Sequence, residues 1–152
     1  MFRSYQWTDL PDKAEFLQLL LQAFGKDRHH LDRLSTRFEH HDTQVDLFYP
    51  ENALEWVGAC VHWQEDGYRY LDKLFVTPVT QKGWGRQLFD SWLQLHSGTR
   101  FVWRTNQDLA ERFYGKHRLV YTLYRKEDYV YQTVETASPL LHVREVEGAF
   151  KN

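Results

Sequence analysis

Three short stretches of this chain hold residues able to do chemistry. Lys73 stands in the apolar run Leu71-Asp72-Lys73-Leu74-Phe75-Val76, Arg104 ends Phe101-Val102-Trp103-Arg104, and Thr80-Gln81-Lys82-Gly83-Trp84-Gly85-Arg86 lies between them. A cation among apolar residues is costly unless its charge reaches water, a carboxylate or an anionic ligand. Two such cations at the ends of neighbouring strands would make an anion site; independent structural ion pairs are the alternative. Arginine's fork holds a carboxylate bidentately and lysine adds a point charge, a combination suited to the carboxylates of an amino acid. The glycines have a different use. Gly83 and Gly85 let backbone N–H groups approach a ligand closely, and a helix starting there would add its positive dipole end, which makes a seat for phosphate. The spacing has neither the Lys-Ser/Thr ending of a P-loop nor the rhythm of a dinucleotide fingerprint.

The elements that must position these residues can be read from the pattern. Phe2 to Trp7 alternates as a first strand, Pro11-Asp12 starts a helix with the stripe Leu17, Leu20, Leu21 and Phe24, and Gly25 ends it. Leu31, Leu34 and Phe38 mark a second helix. Strands follow over Val45 to Tyr49, Glu55 to Gln64 and Tyr68 to Val76, with turn chemistry at Pro50-Glu51-Asn52 and Glu65-Asp66-Gly67. Alternation puts Leu71, Lys73 and Phe75 on one face of the last of these. A helix carrying Leu88, Phe89, Trp92, Leu93 and Leu95 comes next, then a strand from Arg100 to Arg104 and a short helix around Leu109 and Phe113. A hairpin of Leu119 to Arg125 with Tyr129 to Glu135 follows, and the tail 136–152 reads as an edge strand or an oligomerisation segment. Mixed order with a meander and one strand–helix–strand crossover predicts an α/β (α+β) domain.

Length and composition bound the reading. A chain of 152 residues is expected to form one domain, and six Trp, nine Tyr and ten Phe suit a packed core with a ligand cleft. A net charge of −2 with interspersed signs lacks the footprint of a nucleic-acid binder. Cys60, the only cysteine, is expected to be a buried small residue. The Met1 to Pro11 segment has no signal-peptide core and no stretch is long enough to span a bilayer, so the expectation is a soluble cytoplasmic protein away from membranes. Eight histidines, with pairs at His29-His30 and His40-His41, show no HExxH spacing; no metal is expected, and they read as surface residues.

The glycine loop resembles the pyrophosphate loop of GNAT acetyltransferases, Q/R-x-x-G-x-G/A, with Thr80 at the Gln/Arg position. Y-L-D-K at 70–73 followed by L-F-V, the loop, F-V-W-R-x-N at 101–106 and the later Phe113-Tyr114 further resemble the acetyltransferase domain of vertebrate-like N-acetylglutamate synthases and bifunctional synthase/kinases, over about residues 16 to 125. The resemblance implies a GNAT fold, a mixed central sheet of about six to seven strands flanked by about four helices. It implies acetyl-CoA as cosubstrate, held by Leu74, Phe75, Val76, Gln81, Lys82, Gly83, Trp84, Gly85 and Arg86. Lys73 and Arg104 would bind substrate carboxylates, while Asn106 and Tyr114 would be catalytic, Tyr114 protonating the departing thiolate. The implied acceptor is the α-amino group of a small amino acid, above all L-glutamate, attacked directly, in arginine biosynthesis. Thr105-Asn106 stands where the family's second arginine would be, which keeps other acceptors open: another amino acid, a polyamine, a protein N-terminus, or none in an acetyl-CoA-binding regulatory subunit. The implied associations are a homodimer or a separate amino-acid kinase-type subunit.

Overall fold

In the computed structural model the described residues are 1–24, 31–65, 67–78, 83–99, 101–106, 121–125 and 128–133, with only the backbone described at 31, 65, 102–106, 121–125 and 128–133. They fall into two compact units, one made of Met1–Trp63 and Lys73–Leu93 and the other of Gln64–Asp72 and the chain from Gln94 on.

The first unit is built on an antiparallel ladder. Strand β1 (Phe2–Gln6) pairs with β2 (Gln44–Phe48), which pairs with β3 (Gly58–Glu65), in a register that sets Ser4 opposite Asp46 and Asp46 opposite Cys60. Helix α1 (Lys13–Ala23) begins where Asp12, at φ 51°, accepts the Glu15 amide on its side chain at 3.1 Å. Helix α2 (Leu31–His40) follows, and α3 (Trp84–Leu95) comes after strand β4 (Tyr68–Val76). Side chains alternate across the strands, so one face of the ladder carries Val45, Leu47, Ala59, Val61 and Trp63, all buried, on the side of α1 and α2. Phe16 anchors that side, its ring 6.0 Å from Trp7, 5.8 Å from Trp56 and 5.5 Å from Phe75, while Phe38 meets Trp7 at 5.0 Å. The opposite face carries Asp46, Phe48, Gly58, Cys60 and His62 and is covered by α3 through Trp84, Leu88 and Trp92.

Gly58 is what lets α3 and β4 come so close to β3. A Cβ there would lie 2.8 Å from Leu88 Cδ2 and 2.9 Å from the Phe75 carbonyl oxygen. The loop before it is tied down by Val57 N donating to the Phe48 carbonyl at 2.9 Å and Thr77 N donating to the Val57 carbonyl at 2.8 Å.

In the second unit β4 pairs in parallel with β5 (Phe101–Asn106), from Arg69 opposite Phe101 to Leu71 opposite Trp103. Strand β5 then pairs antiparallel with β7 (Asp128–Thr133), and β7 with β6 (Tyr121–Arg125), with a register shift between Leu123 and Arg125. A parallel pair needs a long crossover, and the chain supplies one through α3.

Several boundaries differ from the sequence pattern. Strand β3 starts at Gly58 rather than Glu55, because the chain turns at 54–57 to place the Trp56 ring against Phe16 and Phe75. Strand β5 continues past Arg104 to Asn106. Phe16, absent from the expected stripe of α1, is buried at 2 % exposure, whereas Phe24 is 39 % exposed. Gly25, the short helix around Leu109 and Phe113, and the tail 136–152 lie outside the described residues.

Candidate active site

The start of α3 is set by a glycine turn. Gly83 takes φ +97°, a conformation costly for other residues, and a Cβ there would meet nothing within 4 Å. Gln87 N donates to the Gly83 carbonyl at 3.2 Å, the first bond of the helix, which leaves the amides of Trp84, Gly85 and Arg86 without an intrahelical acceptor. No acid occupies the first turn, so nothing in it opposes an incoming phosphate. Trp84 packs its ring against Phe48 at 6.1 Å and fixes the turn to the ladder. Thr80, Gln81 and Lys82 lie outside the described residues.

Strand β4 divides its side chains as alternation requires. Phe75 is buried among Phe16, Phe24 and Trp56, and Lys73 shares that face, its ammonium 5.2 Å from the Phe24 ring centre. Leu74 and Val76 are half-buried, and Val76 turns toward Gly58 on the α3 side. With the Phe75 side chain committed to the core, a ligand at 74–76 would meet mainly backbone.

Lys73 does not stand alone. With Leu20, Leu21 and Phe24 of α1 and its C-terminal end, and Arg33, Leu34 and Arg37 of α2, it lines a cavity of about 340 Å³. Arg33 and Arg37 are four residues apart on one helix face, and the Arg37 guanidinium also lies over the Trp63 ring at 5.6 Å. The sequence analysis singled out neither arginine, since both sit among the charged residues of a helix marked only by its apolar stripe; their i, i+4 spacing beside Leu34 was the available signal. Of the other expected site residues, Arg104 and Asn106 lie on β5 opposite Val130 and Asp128, with backbone alone described. Tyr114 lies outside the described residues.

A second omission is buried. The reading of the histidines as surface residues is wrong for His62, which is 0 % exposed. Its Nε2 donates to Asp46 Oδ2 at 2.8 Å, and Trp92 Nε1 donates to the same oxygen at 2.9 Å. A carboxylate only accepts, so the ring proton sits on Nε2. Asp46 within Gln44-Val45-Asp46-Leu47-Phe48 was the sequence signal, an acid in a strand otherwise fit for the core. His41 is also no solvated side chain, being stacked flat on Trp63 with centroids 4.1 Å apart. Cys60, opposite Asp46, is fully buried, and burial followed by the Asp46 charge raises its thiol well above the ordinary value. No helix among the described residues is long and apolar enough to cross a membrane.

Comparison with solved structures places this architecture. An acyl-CoA N-acyltransferase from Pseudomonas aeruginosa superposes with a TM-score of 0.66 at 16% identity, over 87% of this chain and 97% of its own. A protein of the GNAT family from Desulfovibrio desulfuricans gives 0.65 at 18% identity over 90% and 99% of the two chains. The chain has the GNAT fold. Campylobacter jejuni N-acetyltransferase PseH, solved in complex with acetyl coenzyme A, shares it with a TM-score of 0.63 at 10% identity over 90% of this chain and all (100%) of that one. No protein-family model and no curated protein matches the sequence.

Proposed function

We propose that the protein is an acetyl-CoA-dependent N-acetyltransferase acting on a small amine that bears a carboxylate, with L-glutamate the acceptor favoured by the sequence resemblance. One observation carries the reading: on the GNAT fold, the helix after β4 opens at Gly83-Trp84-Gly85 with a positive-φ glycine whose Cβ position is open and no acid in its first turn. These are the properties a diphosphate needs, and they suit acetyl-CoA better than a neutral ligand. Gln81, Lys82 and Arg86 would flank the same loop, and the backbone of Leu74, Phe75 and Val76 would meet the acyl-bearing arm.

Acetyl-CoA supplies the activated acyl group. The chain's share is to hold the acceptor's carboxylates with Lys73 and Arg104, to orient its amine with Asn106, and to deliver a proton from the Tyr114 hydroxyl to the departing sulfur. The amine must be neutral to attack, and its proton leaves to water or to a base. In the same reading the whole chain is one cytoplasmic domain on a single mixed sheet, working as a homodimer or beside a kinase-type subunit. A different amine remains the second reading, since Arg104 is followed by Thr105 and Asn106 and the resembled family's second arginine is missing.

The test is CoA release from acetyl-CoA by the purified protein over a panel of amino acids and amines that includes L-glutamate. Saturable turnover with an amino acid, with kcat reduced by Tyr114→Phe at unchanged acetyl-CoA affinity, supports the proposal. Saturable acetyl-CoA binding without turnover of any amine would instead assign a regulatory subunit.

A further inference from the structure

We propose that the cavity between α1, α2 and Lys73 is the acceptor subsite, and that Arg33 and Arg37 select an amine carrying an acid group on a short hydrocarbon body. This deepens the acetyltransferase reading and rests on it only for which end of the ligand reacts. Three cations, Arg33, Arg37 and Lys73, line the cavity, and no acidic side chain does so among the described residues. The rest of the lining is apolar: Leu20, Leu21, Phe24 and Leu34. A cavity built this way attracts a molecule that is both anionic and hydrocarbon, and repels a polyamine. At about 340 Å³ it lies at the small end of ligand pockets, sized for an amino acid and too small for an extended peptide.

Phe24 supports the assignment. Among the described residues it is one of the few large apolar side chains left substantially exposed, at 39 %, and it both lines the cavity and carries the Lys73 ammonium over its ring. The anion held here is not the diphosphate of the α3 turn, because the cavity belongs to the α1 and α2 side of the β2–β3 ladder while α3 covers the other side. Its position also suits an acceptor, since Lys73 is followed directly by the Leu74-Phe75-Val76 backbone assigned to the acyl-bearing arm.

The experiment uses matched pairs that differ in one carboxylate, L-glutamate with 4-aminobutyrate and L-phenylalanine with phenethylamine, on the full chain. Binding is read by calorimetric titration without acetyl-CoA and turnover by CoA release, for the wild type and for Arg33→Glu, Arg37→Gln and the distant control Arg3→Gln. The expected result is preference for the carboxylated member of at least one pair, and an affinity or KM loss of tenfold or more in Arg33→Glu with none in Arg3→Gln. Arg37→Gln, which also leaves Trp63, is checked by its circular dichroism melt, and Arg33→Glu stands as the independent variant if it unfolds. Equal handling of both members of each pair, or an unaltered constant in Arg33→Glu, overturns the subsite while leaving acetyl transfer intact. Acid binding lost in Arg33→Glu together with no acetyl-CoA binding would uphold the subsite and defeat the acetyltransferase reading.

Discussion

The two faces of the β2–β3 ladder put their charges to opposite uses. On the α3 side the ionisable groups are fully enclosed: Asp46 receives His62 and Trp92, and Cys60 lies beside them. On the α1 and α2 side the buried residues are mainly apolar and aromatic, with no buried ionisable group among those described, and Arg33, Arg37 and Lys73 line a cavity that opens to solvent. Enclosed charges specify packing and are expensive to disturb. Charges at a cavity rim cost the fold little. The Asp46–His62 pair is enclosed and bonded to a core indole, whereas the three cations lie at a cavity.

Mutations can break that contrast in a ranked way. Asp46→Ala would remove the acceptor shared by a fully buried histidine and indole and is expected to cost about 3–5 kcal/mol, read from denaturant unfolding. Phe16→Ala, on the other face, is expected to cost a similar amount, about 3–5 kcal/mol, by opening a cavity among Trp7, Trp56 and Phe75. Gly58→Val should cost about 1–3 kcal/mol, since Leu88 can shift but the Phe75 carbonyl cannot easily do so. Arg33→Glu should lie within about 0.5 kcal/mol of wild type in the same assay while losing its acceptor, which separates the two faces by their readouts.

The smallest effect concerns Cys60. Its folded thiol titrates above the unfolded one, so the folded state holds the proton longer and stability is complete below the ordinary thiol value of 9.0. As pH rises through and beyond that value the unfolded chain loses its proton first, and stability should fall. Cys60→Ala should flatten that slope in unfolding curves taken from neutral to alkaline pH, and thiol reagents should reach Cys60 only on unfolding.

How far the sequence carried can be judged residue by residue. The meander, the crossover and the α3 start were legible because period-two and period-3.6 patterns and the Gly83-Trp84-Gly85 turn are local signals. Lys73 was legible because a lysine interrupts an apolar strand. Arg33 and Arg37 were not, because a basic residue on an amphipathic helix looks the same whether it faces water or a cavity edge. His62 was hidden for the converse reason: its neighbours Asp46 and Trp92 are 16 and 30 residues away, and only the β2–β3 register and the α3 packing bring them together. Phe16 and Trp56 exchanged expected places with Phe24 and a longer β3, since aromatic packing decided the local path of the chain.

The most direct test of the central claim is a calorimetric titration of acetyl-CoA into the wild type and into Gly85→Val, whose added side chain would crowd the first-turn amides. The expected result is saturable binding by the wild type and an affinity loss of at least tenfold in Gly85→Val, with the unfolding midpoint nearly unchanged. No binding by the wild type, or equal binding by both proteins, would contradict it.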